Sequence, residues 1–262
     1  MGFFQLLVFF IKICIIQSKD DKNHKLMAYR DTFKRPHTFL PVIHAESIDQ
    51  AINNSRIAIE KGADGIFLIG HRMRTGALLA TYNAVVQHLP QGTWIGINFL
   101  REPFRPQLVE VIPMTCPGVW TDQNGIHESP EGGMMNSYEA LDLYKKLRER
   151  DPNPLWFGGV GFKGQPPTEN LTAMAKIATR YMDVITTSGD HTGSAPSVEK
   201  VRLIRRAIGD HPIAIASGMT PENVSSFKAY ANCFMVASGI SRSFTELEPA
   251  LVRDTADIIH AS

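Results

Sequence analysis

The chain has 262 residues, 44% of them hydrophobic and 20% charged, with a formal net charge of +1. That is ordinary for one large α/β barrel or two small domains, and it removes any electrostatic case for nucleic acid or an acidic membrane surface. The cysteines Cys14, Cys116 and Cys233 are odd in number and far apart, which argues against a disulfide framework or metal-ligand cluster and for a reducing compartment.

The first stretch, Phe3 to Ile16, is apolar but carries Gln5 and Lys12. It is shorter than the about 20 residues of a membrane span, and it has no clear basic opening or small-residue cleavage site of a signal peptide. A charged run, Ser18 to Lys25, follows. Residues 1–26 are therefore expected to be an extension outside the fold, either an upstream start or a cleaved targeting segment, with one domain over 27–262. The expected location is cytoplasmic, with no stable membrane span. Asn-x-Ser/Thr triplets at Asn53, Asn170 and Asn223 would matter only in a secreted chain.

From His37 onward, short apolar runs alternate with amphipathic ones, the pattern of parallel α/β folds. Eight strands are predicted: Phe39–His44, Gly65–Gly70, Trp94–Phe99, Gly118–Thr121, Leu155–Val160, Val184–Thr187, Ile213–Ala216 and Phe234–Ala237. They are continuous rather than alternating, as strands buried on both faces are. Helices are predicted over Ile48–Lys61, Tyr138–Arg150, Val198–Ile208 and Leu247–Ile259. The alternative, a doubly wound open sheet, places its glycine loop after the first strand; here that strand ends His44-Ala45-Glu46, and the glycine turns come late. The prediction is a single (β/α)8 TIM barrel. Gly125–Asn136 has the composition of a lid.

In such a barrel the loops after strands seven and eight commonly bind phosphate. The last three predicted strands end in Ser188-Gly189, Ser217-Gly218 and Ser238-Gly239, where glycine lets the backbone approach an anion and helix-start amides face it. These six residues are the expected phosphate site, with Arg242 as a further contact, and Thr220-Pro221 is expected to open a helix. Other strand ends supply chemistry: His71 as a proton carrier, Asn98 to orient substrate, Asp122 or Asp190 as general acid/base, and Lys163 as a phosphate ligand, base or electrostatic partner. His44, Glu46, His71 and Asp122 also suit magnesium or manganese, though without tight ligand spacing. A Ser-His-Asp triad, a Walker loop and a Rossmann fingerprint are absent from the sequence.

Ile95-Gly96-Ile97-Asn98-Phe99-Leu100-Arg101, Thr121-Asp122-Gln123, Asp183 to Gly189, and Ser217-Gly218-Met219-Thr220-Pro221-Glu222-Asn223-Val224 resemble the BtpA/SgcQ family. The likeness runs through most of 37–245. It implies a barrel of the ribulose-phosphate-binding type without a settled reaction: one branch is associated with photosystem I biogenesis, another lies among sugar-utilisation genes, and related sequences are sometimes labelled phosphoribosyltransferases. Three departures surround the expected mouth. The fifth strand, Phe157 to Gly164, is glycine-rich; the second ends Leu68-Ile69-Gly70-His71; and His191 is inserted into the Ser-Gly-x-x-Thr-Gly turn. Two functions compete: an enzyme on a phosphorylated sugar or ribosyl phosphate, and a non-catalytic assembly or regulatory factor on the same barrel. A barrel that has lost its site is disfavoured by the retained serines and glycines. A phosphorylated small molecule is the expected partner, and homo-oligomerisation is expected.

Overall fold

In the computed structural model, residues 25–261 are described apart from 101, 103, 104, 106, 129–134, 151 and 152. The chain forms helix α1 over 25–32, then β1 (Thr38–His44), α2 (Ile48–Glu60), β2 (Ile66–Ile69), α3 (Thr75–His88), β3 (Ile95–Asn98), α4 (Leu108–Val111) and β4 (Gly118–Thr121). A two-residue ribbon, β5 (His127–Glu128) and β6 (Met135–Asn136), precedes α5 (Tyr138–Arg148), β7 (Leu155–Gly159), α6 (Leu171–Ala178), β8 (Val184–Thr187), α7 (Val198–Ile208) and β9 (Ile213–Ile215). After β10 (Cys233–Val236) come a ribbon of β11 (Ser241–Ser243) and β12 (Glu246–Leu247), and α8 (Pro249–His260). The strands β1-β10-β9-β8-β7-β4-β3-β2 close into a parallel barrel. The predicted (β/α)8 barrel is thus the fold, and all eight predicted strands are present within a residue or two.

Two positions differ from the expected helices. The segment after β9 is only a 3-10 turn, Val224–Phe227, because Asn223 folds back on the turn: its Oδ1 accepts from the Thr220 amide at 2.9 Å and its Nδ2 donates to the Gly218 carbonyl at 2.8 Å. Thr220-Pro221 therefore opens no α-helix. The segment after β10 begins as another 3-10 turn, Ser238–Ile240, and α8 starts only at Pro249. Half of the expected lid, residues 129–134, and Arg101 lie outside the described residues; the lid's flanks pair as β5 and β6.

Both strand faces are buried, but each packs a different layer. On β1, Phe39 and Ile43 join the layer under the helices, while Leu40 and Val42 point into the barrel. The interior is aromatic: Phe67 packs 5.1 Å from both Trp94 and Phe157, and Phe33 packs 5.1 Å from Trp94. Gly96 makes room for this stack, since a Cβ there would collide with the Phe67 ring. Tyr29 and Phe33, on and just after α1, stopper the bottom end; the Tyr29 hydroxyl lies 2.7 Å from Thr38 Oγ1. Lys25, also buried, donates to the Thr179 carbonyl at 3.1 Å. With the bottom filled, open space is left at the C-terminal mouth, where TIM-barrel sites lie. Among the described residues, no helix is long and apolar enough to cross a membrane.

Candidate active site

The mouth holds a cavity of about 620 Å³, within the range of small-molecule sites. Val42, Ile69, Trp120 and Met235 line it with apolar surface, and His44, His71, Asp122 and Lys163 face it from the ends of four strands. Ser217 and Gly218, after β9, and Ser238 and Arg242, after β10, also line it.

Asp122 follows β4 directly. Asn98, the last residue of β3, donates to its Oδ1 at 3.1 Å. Its backbone is fixed as well, because Gln165 Nε2 donates to the Asp122 carbonyl at 2.7 Å and to the Gly159 carbonyl at 2.9 Å. Burial raises the Asp122 carboxyl above its ordinary range, opposed by the Asn98 hydrogen bond and the Lys163 charge. Burial likewise lowers Lys163, opposed by Asp122. The two groups are thereby brought closer in proton affinity than free aspartate and lysine are. Lys163 is positioned through its backbone: its amide donates to Ser188 Oγ at 2.8 Å.

His44 is lowered to about 4, first by burial and then by His71; His71 is lowered by burial and by Lys163. Among the described residues no three His, Cys, Asp or Glu side chains are grouped to hold a metal ion. Glu46 instead faces Arg72 at 3.9 Å in an exposed pair.

The three Ser-Gly turns divide. A Cβ on Gly239 would strike the Met219 carbonyl, one on Gly218 the Ala195 amide, and one on Gly189 the Ser194 carbonyl. These glycines let the loops after β8, β9 and β10 pack backbone against backbone. Ser188 and Gly189 are buried beneath Lys163 rather than lining the cavity. Asp190 is exposed and borders a neighbouring hollow with Lys200, whose Nζ donates to the Gly161 carbonyl at 2.5 Å and the Ser188 carbonyl at 2.8 Å. Gly239 is likewise absent from the lining, whereas Ser217, Gly218 and Ser238 contribute to it. Ser217 Oγ donates to the carbonyl of the inserted His191 at 3.3 Å. Among the described residues, the amides of Gly218 and Ser238 donate to no protein acceptor.

So Asp122, Lys163, His71, Ser217, Gly218 and Ser238 meet in one cavity, and Asn98 supports it from behind. Asp190, Ser188, Gly189 and Gly239 stand outside its lining. Sequence reasoning missed Gln165 and Phe244. Gln165 carried no signal beyond its place two residues after Lys163; Phe244 carried one, as a large apolar residue among the polar residues Ser241, Arg242, Ser243 and Thr245. Cys116, between α4 and β4, is fully buried, and burial pushes its thiol up to about 11, so it is not a reactive site.

No protein-family model matches the chain, and no curated protein matches its sequence. Solved structures do match in fold. (S)-3-O-geranylgeranylglyceryl phosphate synthase from Thermoplasma acidophilum, bound to sn-glycerol-1-phosphate, aligns with a TM-score of 0.62 and 16% identity over 89% of this chain and 96% of its own. Phosphoribosyl anthranilate isomerase, with a reduced 1-(o-carboxyphenylamino)-1-deoxyribulose 5-phosphate, aligns at 0.57 and 12% over 85% and 98%. The 2-keto-3-deoxy-6-phospho-gluconate aldolase of Zymomonas mobilis aligns at 0.57 and 12% over 88% and 96%. At such identities the likeness is one of fold: this chain is a (β/α)8 barrel like theirs.

Proposed function

We propose that this protein is an enzyme acting on a phosphorylated sugar or ribosyl phosphate, with its site in the barrel mouth. The observation that carries the reading is one cavity lined both by Gly218 and Ser238, whose amides donate to no protein acceptor among the described residues, with Arg242, and by Asp122 and Lys163. Phosphate would be held by Ser217, Gly218 and Ser238, with Arg242 adding a charge-assisted contact. Asp122 would move the proton, Lys163 would stabilise charge beside it, and Asn98 would keep the carboxylate aimed; His71 stands by as a proton carrier. Asp190 receives no role in this reading. The neighbours named for glycerol phosphate, deoxyribulose phosphate and phosphogluconate chemistry support a phosphate ligand. The strings that resemble the BtpA/SgcQ family, around Thr121-Asp122-Gln123 and Ser217 to Val224, contribute Asp122, Ser217 and Gly218 to this cavity, and a kinship with that family is part of the proposal.

The test is thermal unfolding with inorganic phosphate and ribose 5-phosphate. Ligand at 100 times its dissociation constant should stabilise by about 2.7 kcal/mol, a shift of roughly 5–11 °C at roughly 2–4 °C per kcal/mol. The Ser238→Asp variant, which puts a negative charge beside the phosphate position, should lose the shift. Asp122→Asn should keep the shift and lose turnover of the substrate so identified, by about 10²–10⁴-fold or more. No shift with either compound would sink the phosphate reading, and binding without turnover would favour a ligand-binding factor.

A further inference from the structure

One wall of the cavity is used neither by the phosphate turns nor by Asp122. Phe244, from the β11–β12 turn, is 52% exposed although it is a large apolar side chain. Its ring centroid lies 4.3 Å from that of His44 and 5.3 Å from that of His71, and the two imidazoles meet edge-to-face at 4.7 Å. All three rings line the cavity, and Val42, Ile69 and Met235 continue the apolar surface beneath them.

The wall is uncharged near neutral pH, since burial holds both imidazoles below their usual range; it is not a second anion site. A flat ring laid on it, having no hydroxyls to keep hydrated, gains the offset and edge-to-face contacts that aromatic groups prefer at centroid separations of about 4.5–7 Å. The same loop carries Ser238 and Arg242 at its start and Phe244 at its tip, so it spans from the phosphate position to the wall.

We propose that Phe244, His44 and His71 form a ring-binding wall, so that this cavity selects a phosphate ester carrying an aromatic or heteroaromatic group at its other end. The inference rests on the phosphate reading above and specifies its substrate class.

Calorimetric titration of the full chain with inorganic phosphate, ribose 5-phosphate, hexyl phosphate, benzyl phosphate and benzyl alcohol tests it. Benzyl phosphate should bind roughly tenfold tighter than ribose 5-phosphate or hexyl phosphate. Phe244→Ala, at an exposed position, should erase about fivefold or more of that advantage and leave inorganic phosphate unchanged, while Phe244→Trp should restore it. Equal binding of hexyl or ribose phosphate, or a Phe244→Ala loss shared by inorganic phosphate, would overturn the wall while leaving the phosphate site standing. Benzyl alcohol binding that Phe244→Ala abolishes, with no gain from a phosphate group, would keep the wall and overturn the phosphate reading. No binding by any of the five would overturn both.

Discussion

His44 and Asp122 are displaced from their ordinary titration in ways that can be measured without a substrate. His44 is lowered to about 4, so the folded chain keeps it neutral while the unfolded chain takes up a proton near pH 6.5. Its contribution is therefore present above about pH 6.5 and lost as pH falls toward 4, by an amount on the order of 2 kcal/mol after allowance for solvent. Urea midpoints at pH 7 and 4.5 should fall further apart for the wild type than for His44→Phe; equal falls would exclude His44 as the source. Asp122 behaves oppositely: burial raises it, and the Asn98 hydrogen bond opposes that rise. Asn98→Ala should thus raise the Asp122 pKa further, read from its side-chain carboxyl carbon by NMR titration. An unmoved pKa would mean the hydrogen bond does not tune the carboxyl.

Among the elements, the mouth loops depend on two different properties of glycine. Gly218 has φ +64° and sits against the Ala195 amide; Gly193 has φ +82° but open space around its Cα. Gly193→Ala should cost about 1 kcal/mol, for backbone conformation alone. Gly218→Ala should cost more than about 2 kcal/mol, because the loops after β8 and β9 must separate as well. Equal costs from denaturant unfolding would remove the loop-packing argument. The same packing explains why three Ser-Gly turns recur while only two lend residues to the cavity: the glycines were legible as turn residues, but their contact partners lie on neighbouring loops.

At the scale of the whole barrel, two buried groups away from the mouth can be tested for their part in stability. Asp183 is fully buried, accepts from the Trp156 amide at 2.7 Å and pairs with Arg148 at 3.0 Å. Removing one partner of such a group strands the other, so Asp183→Ala should cost about 3–5 kcal/mol. Phe33→Ala, at the bottom stopper, should cost about 3–5 kcal/mol and leave ligand shifts at the mouth unchanged. Loss of the shift in a folded Phe33→Ala protein would show that bottom and mouth are not independent.

The alternation of buried strands and amphipathic helices is a local property, so the eight strands, the helix over Val198–Ile208 and the closed parallel barrel could be read from the residues in order. Strand ends of such a barrel face one mouth, which makes Asp122, Lys163 and His71 candidates from the sequence alone. Three matters needed the tertiary structure. Ser188 and Asp190 differ from Ser217 only in the direction the chain takes after its strand, and that is set by backbone contacts across loops. Gln165 ties the end of its own strand, at the Gly159 carbonyl, to that of β4, at the Asp122 carbonyl, which it approaches only in space. Phe244 meets His44 and His71 from about 170–200 positions away in the chain, and no spacing rule connects them; closure of the barrel, which sets β10 beside β1, brings their rings together.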